Sequence, residues 1–402
     1  MSNKLAINGG TPIRIDKVPL AKPYIGEEEI ESVVKVLRSG IMTSATGKGP
    51  RATELEQKYS QYNNVKHAVA CGSGTAALHV ALTALGIKPG DEVITTPFSF
   101  IASANAVLLI GAIPVFVDID PLTYTIDPDQ IVNSITSKTK AIIPVHLFGC
   151  PAEMDAITDI ADNYNLYIIE DIAQAHGSRY KGKMVGTFGD IGCYSFYATK
   201  NIHAGGEGGL IVTNDDELAN QCKMMMAHGQ GARYKHNLLG FNYRMTEMSA
   251  AIALTQFERL EYFNKKRQEN AKILDETLQS LKGISAPYKP DYVDHVYHLY
   301  VAKILENSGW NRDEFITALN AEGIGTAEVY PLPIYKQPVY ENINDPKVNW
   351  AANICIYPDY SQTKCPVTEK LCQQLIQLPV HPSLSEEDLY DIIKALEKLF
   401  TE

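Results

Sequence analysis

Residues 168–209 read IIEDIAQAHGSRYKGKMVGTFGDIGCYSFYATKNIHAGGEGG, and this run decides the fold. It opens at the end of an apolar segment, 166–169, which delivers the acidic pair Glu170 and Asp171. A buried strand that ends in a carboxylate places it at a pocket floor, as at the carboxyl ends of strands in open α/β sheets. Gln174 and His176 follow. A second strand-like run, 191–196, carries Ser195 near its end. Thr199 and Lys200 come next, then a glycine cluster, Gly205, Gly206, Gly208 and Gly209.

Outward from this run, strand and helix patterns alternate. Short apolar strands are read at 67–71, 92–96, 115–118, 141–146, 167–170, 191–196 and 210–213. Between them lie helical periodicities at 76–85, 102–109, 154–164 and 215–225, preceded by 27–39 and 51–63. The alternation predicts an α/β fold with a mainly parallel sheet and helices on both faces. Glycines and prolines make 1–25 an irregular arm, 40–50 a loop and 330–338 a proline-rich loop. The polar stretch 227–239 reads as a mobile loop. A long helical pattern over 245–281, broken near Asn264, bridges to a smaller α+β part with a strand at 296–304 and helices at 311–321, 367–374 and 386–400. The expected division is an arm, 1–25; a large domain, 26–259; and a small domain, 260–402.

One cofactor chemistry needs the central parts together. Pyridoxal phosphate (PLP) requires a lysine for covalent attachment, a carboxylate to keep its ring nitrogen protonated, and donors for its phosphate. Lys200 supplies the amine, Asp171 the carboxylate and Ser195 a hydroxyl. The glycines after Lys200 let backbone pass the cofactor closely. A further anion site is read at Gly72-Ser73-Gly74-Thr75, where a strand turns into a helix start. Each feature has a plainer use. Lysines are mostly solvated, Asp171 suits a helix cap, buried serines often satisfy backbone groups, and Gly-Ser-Gly-Thr is a common tight turn.

The run, together with CGSGTAALHVALTALGIKPGDEVITTPFSFIASANAV at 71–107 and GFNYRMTEMSAAIALTQFERL at 240–260, resembles the DegT/DnrJ/EryC1/StrS aminotransferases of PLP fold type I. The resemblance implies that Lys200 is the catalytic lysine; a dehydratase branch of that family carries histidine there. It implies Asp171 at the ring nitrogen, Gln174 at the ring oxygen, and Gly74, Thr75 and Ser195 at the phosphate. Phe100 is expected to stack on the ring, against its default reading as a core phenylalanine. His176 is expected to order the loop around Asp171. Asn242, otherwise a turn residue, is expected to reach the phosphate of a neighbouring subunit, which implies a homodimer with shared active sites. Arg244 suits either substrate or interface. The family's histidine after the Gly323-Ile324-Gly325-Thr326 turn is replaced by Val329, with Tyr335 and Lys336 beyond.

The implied reaction is ping-pong transamination from an amino acid, glutamate or glutamine by family expectation with glutamate preferred, to a nucleotide-linked 3- or 4-keto-deoxyhexose. Its rivals are amination of a keto-inositol or related cyclitol, a sugar dehydratase or lyase, and a PLP-binding regulator without turnover. At 402 residues the chain can bury a large core, and its net charge of −11 sets it against nucleic acid and anionic membranes as partners. Its 7 cysteines are odd in number and lack a CxxC pair, and no signal peptide or membrane span is read, so a cytoplasmic setting is expected. No metal site is expected.

Overall fold

The computed structural model describes residues 4–43 and 49–401; residues 44–48 of the loop expected at 40–50, and 1–3 of the arm, lie outside it. The central sheet has seven strands: β1 His67–Cys71, β2 Glu92–Thr95, β3 Ile113–Phe116, β4 Thr139–Ile143, β5 Tyr167–Asp171, β6 Ile191–Ser195 and β7 Gly209–Thr213. Their order is β1-β7-β6-β5-β4-β2-β3. β7 pairs antiparallel with β1 and β6, and the other pairs are parallel.

These strands are short apolar runs because both faces are covered. Helices α2 (Pro50–Asn63), α5 (Met154–Tyr164) and α7 (Glu247–Phe257) share one core with Ile168, Tyr194 and Leu210. Helices α3 (Gly74–Ala84), α4 (Ala102–Leu109) and α6 (Asp216–Met226) share the other with Ile169, Cys193 and Ile211. Successive strand residues thus point into opposite cores. α1 (Glu27–Ser39) packs on α7.

The helix expected at 76–85 starts two residues early, at Gly74, because Ser73 caps it: its Oγ accepts from the Ala76 N–H at 3.1 Å. The expected break near Asn264 is corrected. α7 ends at Phe257 and α8 runs unbroken from Leu260 to Ser280. The break is set by Arg259, which pairs with Glu28 and Glu29 of α1, a tertiary contact that periodicity does not carry. The stretch expected as a loop at 227–239 instead forms a ribbon, Gln230–Ala232 paired with Lys235–His236.

A second, antiparallel sheet comprises β8 Ile284–Ser285, β9 Tyr300–Ile304, β10 Ala327–Glu328 and β11 Leu375–Leu378, in the order β8-β9-β11-β10. The helix expected to 374 stops at Leu371, leaving Leu375–Leu378 free to pair with β9. α8, α9 (Arg312–Ala321) and α10 (Glu386–Thr401) cover this sheet. Leu5 and Val18 of the arm are buried in the same core, and Val18 bridges Ile324. Tyr335, Tyr340 and Tyr360 pack back against Phe116 of the first sheet. We propose 26–259 and 260–402 as the two domains, with the arm docked on the second.

Candidate active site

A cavity of about 570 Å³ opens beyond the carboxyl ends of the parallel strands, the usual place for a ligand in such a sheet. Gly74, Thr75, Phe100, Asp171, Gln174, Ser195 and Lys200 all line it. They converge for a reason of parity. Asp171 and Ser195 each lie an even number of residues from Ile169 and Cys193, so both face the core that holds α3.

Parity also separates the acidic pair. Glu170 faces the opposite core, is fully buried, and accepts from the N–H groups of Gly186 (2.6 Å), Phe188 (2.7 Å) and Gly189 (2.8 Å), with His146 Nε2 at 3.0 Å. It is a structural hub for the 186–189 turn. Glu170→Ala strands one buried and two part-buried amides, and a loss of about 3 kcal/mol is expected. A clearly lowered Tm checks this, and an unchanged Tm contradicts it.

Asp171 faces the cavity. Its Oδ2 accepts from Ser103 Oγ at 2.7 Å and its Oδ1 from the Ala173 N–H at 3.1 Å. These bonds fix the carboxylate's plane. His176 lies one layer behind. Its Nε2 meets the Ser195 carbonyl at 2.8 Å and its Nδ1 the Tyr59 hydroxyl at 3.0 Å, and burial pushes its pKa down to about 4. His176 is therefore neutral and supports the Ser195 strand end rather than lining the cavity.

Lys200 sits on the cavity wall, half-buried, and its ammonium has no hydrogen-bond or ion-pair partner among the described residues. Desolvation brings its pKa down to about 8, partly offset by Asp171. At pH 7 roughly a tenth of it is then the neutral, nucleophilic amine, against far less than a hundredth for an ordinary lysine. Covalent capture of PLP by the apoprotein is expected to accelerate with pH and level off above about 8. Stopped-flow capture across pH 6 to about 10 checks this; a rate still climbing at the top of that range contradicts it.

One end of the cavity is a cradle of small groups. The Ala76 and Ala77 amides are taken by Ser73, while those of Gly74 and Thr75 have no partner among the described residues. A Cβ on Gly74 would lie 2.7 Å from Ser195 Cβ and 3.2 Å from its Oγ, so only glycine lets the helix start meet the strand end. Free amides at a helix N-terminus beside a hydroxyl suit an anion.

Gln174 is engaged at both ends. Its Oε1 accepts from the Phe148 N–H at 2.9 Å and its Nε2 donates to Tyr330 Oη at 2.8 Å. Phe100 has a 60% exposed ring at the cavity, so it is no core residue; Phe98, fully buried against Tyr124 and Phe148, takes that part. Asn242 is exposed and does not line its own chain's cavity. Arg244 has Nε and Nη1 buried without partners among the described residues.

The glycine cluster is corrected. Cβ atoms on Gly205 and Gly209 would strike Ile252 Cδ1 (2.4 Å) and the Ser73 carbonyl oxygen (2.3 Å), and neither glycine lines the cavity. They allow protein-on-protein packing instead of close approach to a cofactor. Val329 is buried among Val301, Leu371 and Leu375, and the cavity is lined by its neighbour Tyr330. Tyr335 and Lys336 both turn to Glu369 (2.7 and 2.8 Å). Sequence reasoning missed Tyr330 and a wall made of Asn201, Arg267, His298 and His381. The paired histidines in His295-Val296-Tyr297-His298 were the available signal.

An unpartnered, acidified lysine, a carboxylate held in place and a free-amide cradle fit PLP, and together with the sheet they define a PLP-dependent transferase of fold type I. The chain belongs to the DegT/DnrJ/EryC1/StrS aminotransferase family, whose model matches residues 23–397, and it is an aminotransferase. It is 41% identical over 350 residues to the UDP-N-acetyl-3-dehydro-alpha-D-glucosamine 3-aminotransferase of Acidithiobacillus ferrooxidans, covering 87% of this chain and 89% of that one. It is 38% identical over 390 residues to a pleiotropic regulatory protein of Geobacillus stearothermophilus, covering 96% and 99%. The structure of NtdA from Bacillus subtilis with bound cofactor PMP superposes with a TM-score of 0.83 at 33% identity, covering 97% of this chain and 86% of that one.

Proposed function

We propose that this enzyme moves an amino group from an amino acid, glutamate in our reading, to a nucleotide-linked 3- or 4-keto sugar. The observation that carries it is the convergence of Lys200, Asp171 and the Gly74–Ser195 cradle on one cavity with room beyond them. When bound, PLP supplies the electron sink that acidifies the Cα–H bond of an attached amino acid. Lys200 Nζ would attach the cofactor and, once released, would carry the proton from Cα to C4′ as general base and then general acid. Asp171 holds the proton on the ring nitrogen by charge-assisted hydrogen bonding. The Gly74 and Thr75 amides and Ser195 Oγ hold the phosphate, Phe100 covers the ring and Gln174 orients its oxygen. The Acidithiobacillus relative's name supports a UDP-linked 3-keto sugar as acceptor.

The test is incubation with L-glutamate and UDP-linked 3-keto and 4-keto sugars, with mass spectrometry for the amino sugar. A holoenzyme that glutamate converts but that aminates only a keto-inositol supports the cyclitol reading. A holoenzyme that no amino acid converts supports a regulator, the role named for the Geobacillus relative.

Asn242 enters the proposal through the dimer. PLP phosphate carries about two negative charges near neutral pH, and its own cradle offers two amides and one hydroxyl. A donor from a second copy completes it. Mixing Lys200→Ala with Asn242→Asp subunits is expected to restore part of the activity, because one site in each mixed dimer regains native composition. Mixed dimers seen by native mass spectrometry without activity contradict the role.

A further inference from the structure

Gln174 meets the cavity between two residues whose backbone is strained. Phe148 (φ 57°) and Tyr330 (φ 44°) both lie in the left-handed region that bulky side chains rarely adopt. They come from distant parts of the chain: Phe148 follows β4, and Tyr330 follows β10 of the second sheet. Their rings stack 6.0 Å apart at 13°, and Phe98 packs edge-on against both, at 6.0 and 5.5 Å. Together they hold both ends of one amide. The Phe148 N–H donates to Gln174 Oε1 at 2.9 Å, and Gln174 Nε2 donates to Tyr330 Oη at 2.8 Å. Strained backbone of this kind persists where the surrounding structure imposes it, and it clusters at ligand sites.

The two bonds leave the amide one orientation. Turned over, it would set its NH₂ against the Phe148 N–H, donor against donor. Nε2 carries two hydrogens and Tyr330 Oη takes one, so the other remains for an acceptor in the cavity that both side chains line. The Phe100 backbone N–H is turned to the same phenol oxygen, and burial pushes the phenol's pKa up, so it stays neutral at working pH. We propose that Tyr330 is a positioning residue for the cofactor ring, its hydroxyl holding the Gln174 amide with the second Nε2 hydrogen aimed at the ring oxygen. The inference rests on the reading that PLP binds here with its ring oxygen at Gln174. A hydrogen bond from Nε2 stabilises that oxygen as an anion and weakens its hold on the proton it shares with Lys200 Nζ, so that proton leaves at lower pH. A Tyr330 that only filled space would be served by its ring, wedged against Phe98 and Phe148; the hydroxyl adds nothing to that stack.

The test titrates the absorbance of the PLP-loaded protein with pH, in the absence of any amino donor. Wild type is compared with Gln174→Ala, Tyr330→Phe and the double variant. Gln174→Ala is expected to move the midpoint up by about 1–2 pH units, the worth of one hydrogen bond to a charged group. Tyr330→Phe is expected to move it up by roughly 0.4–1 unit, a neutral hydrogen bond's worth passed on through the amide. In the Gln174→Ala background, Tyr330→Phe is expected to add nothing. Asp171, His176 and His298, whose charges would act on Lys200, are the same in all four proteins and cancel from the comparison. A Tyr330→Phe midpoint equal to wild type overturns the proposal. So does an undiminished further shift in the double variant, which would make Tyr330 act independently of Gln174. A wrong placement of the ring shows differently: Gln174→Ala itself then leaves the midpoint unmoved, and the proposal falls with that reading. Tyr330→Phe keeps the ring and loses one oxygen, and its Tm checks that the fold is kept. Where a variant fails to fold, a crystal structure of the unmutated holoenzyme decides. Gln174 Nε2 within hydrogen-bond distance of both Tyr330 Oη and the ring oxygen is expected, and an amide turned away from either overturns the proposal.

Discussion

Lys200→Ala is expected to abolish turnover and to leave the protein without covalently held cofactor. The side chain has two tasks in the proposed reaction, attachment and proton transfer at Cα. The second alone is worth on the order of 10²–10⁴ in rate. The fold should not suffer. The ammonium has no partner among the described residues, and its pKa is lowered to about 8 by desolvation. A cation held below its unfolded pKa by burial costs stability at every pH where it stays protonated. Removing it is expected to leave Tm unchanged or raised at pH 7. The cradle of Gly74, Thr75 and Ser195 remains, so PLP can still bind without a covalent link. Borohydride reduction followed by mass spectrometry reads the result directly. The wild type should gain the cofactor's mass on Lys200, and the variant should gain none. A variant that gains the mass at another lysine and turns over normally would refute the assignment.

Asp171→Asn should cost on the order of 10²–10³ in the rate of the glutamate half-reaction, the usual toll for removing one preorganised charge. The substitution is close to isosteric. The new amide oxygen can keep the Ala173 N–H, and the new NH₂ can face Ser103 Oγ, a hydroxyl able to accept as well as donate. Tm is therefore expected to change little, in contrast to Glu170→Ala one residue earlier. A half-reaction as fast as wild type in Asp171→Asn would remove Asp171 from the chemistry. A collapse in Tm would make it a structural residue like Glu170.

The contrast between Glu170 and Asp171 shows where sequence reading stops. Side by side they are chemically alike, and only the strand-end position and the family resemblance singled out Asp171. Which one reaches the cavity follows from strand parity and from which face α3 covers, and α3 covers that face only once the sheet is assembled. Phe98 and Phe100 divide in the same way: one fills a core beneath Tyr330, the other is left at the cavity.

Local features survived the step to structure because their causes are local. The apolar runs make buried strands, Ser73 caps the helix that follows it, and glycine at 74 is required by a contact visible as soon as the two motifs are juxtaposed. Lys200, Asp171 and Ser195, which the structure brings to one cavity, were picked out in the sequence because the attachment, ring and phosphate of PLP each demand a residue type. The break at Arg259, the pairing of Leu375–Leu378 and the wall of Arg267 and His298 were not legible. Each depends on partners far along the chain, Glu29 for the first and Tyr300–Ile304 for the second. A lone arginine in a helical repeat looks like any solvated one. Only its burial beside His298 marks it as part of the site, and burial is a property of the folded chain.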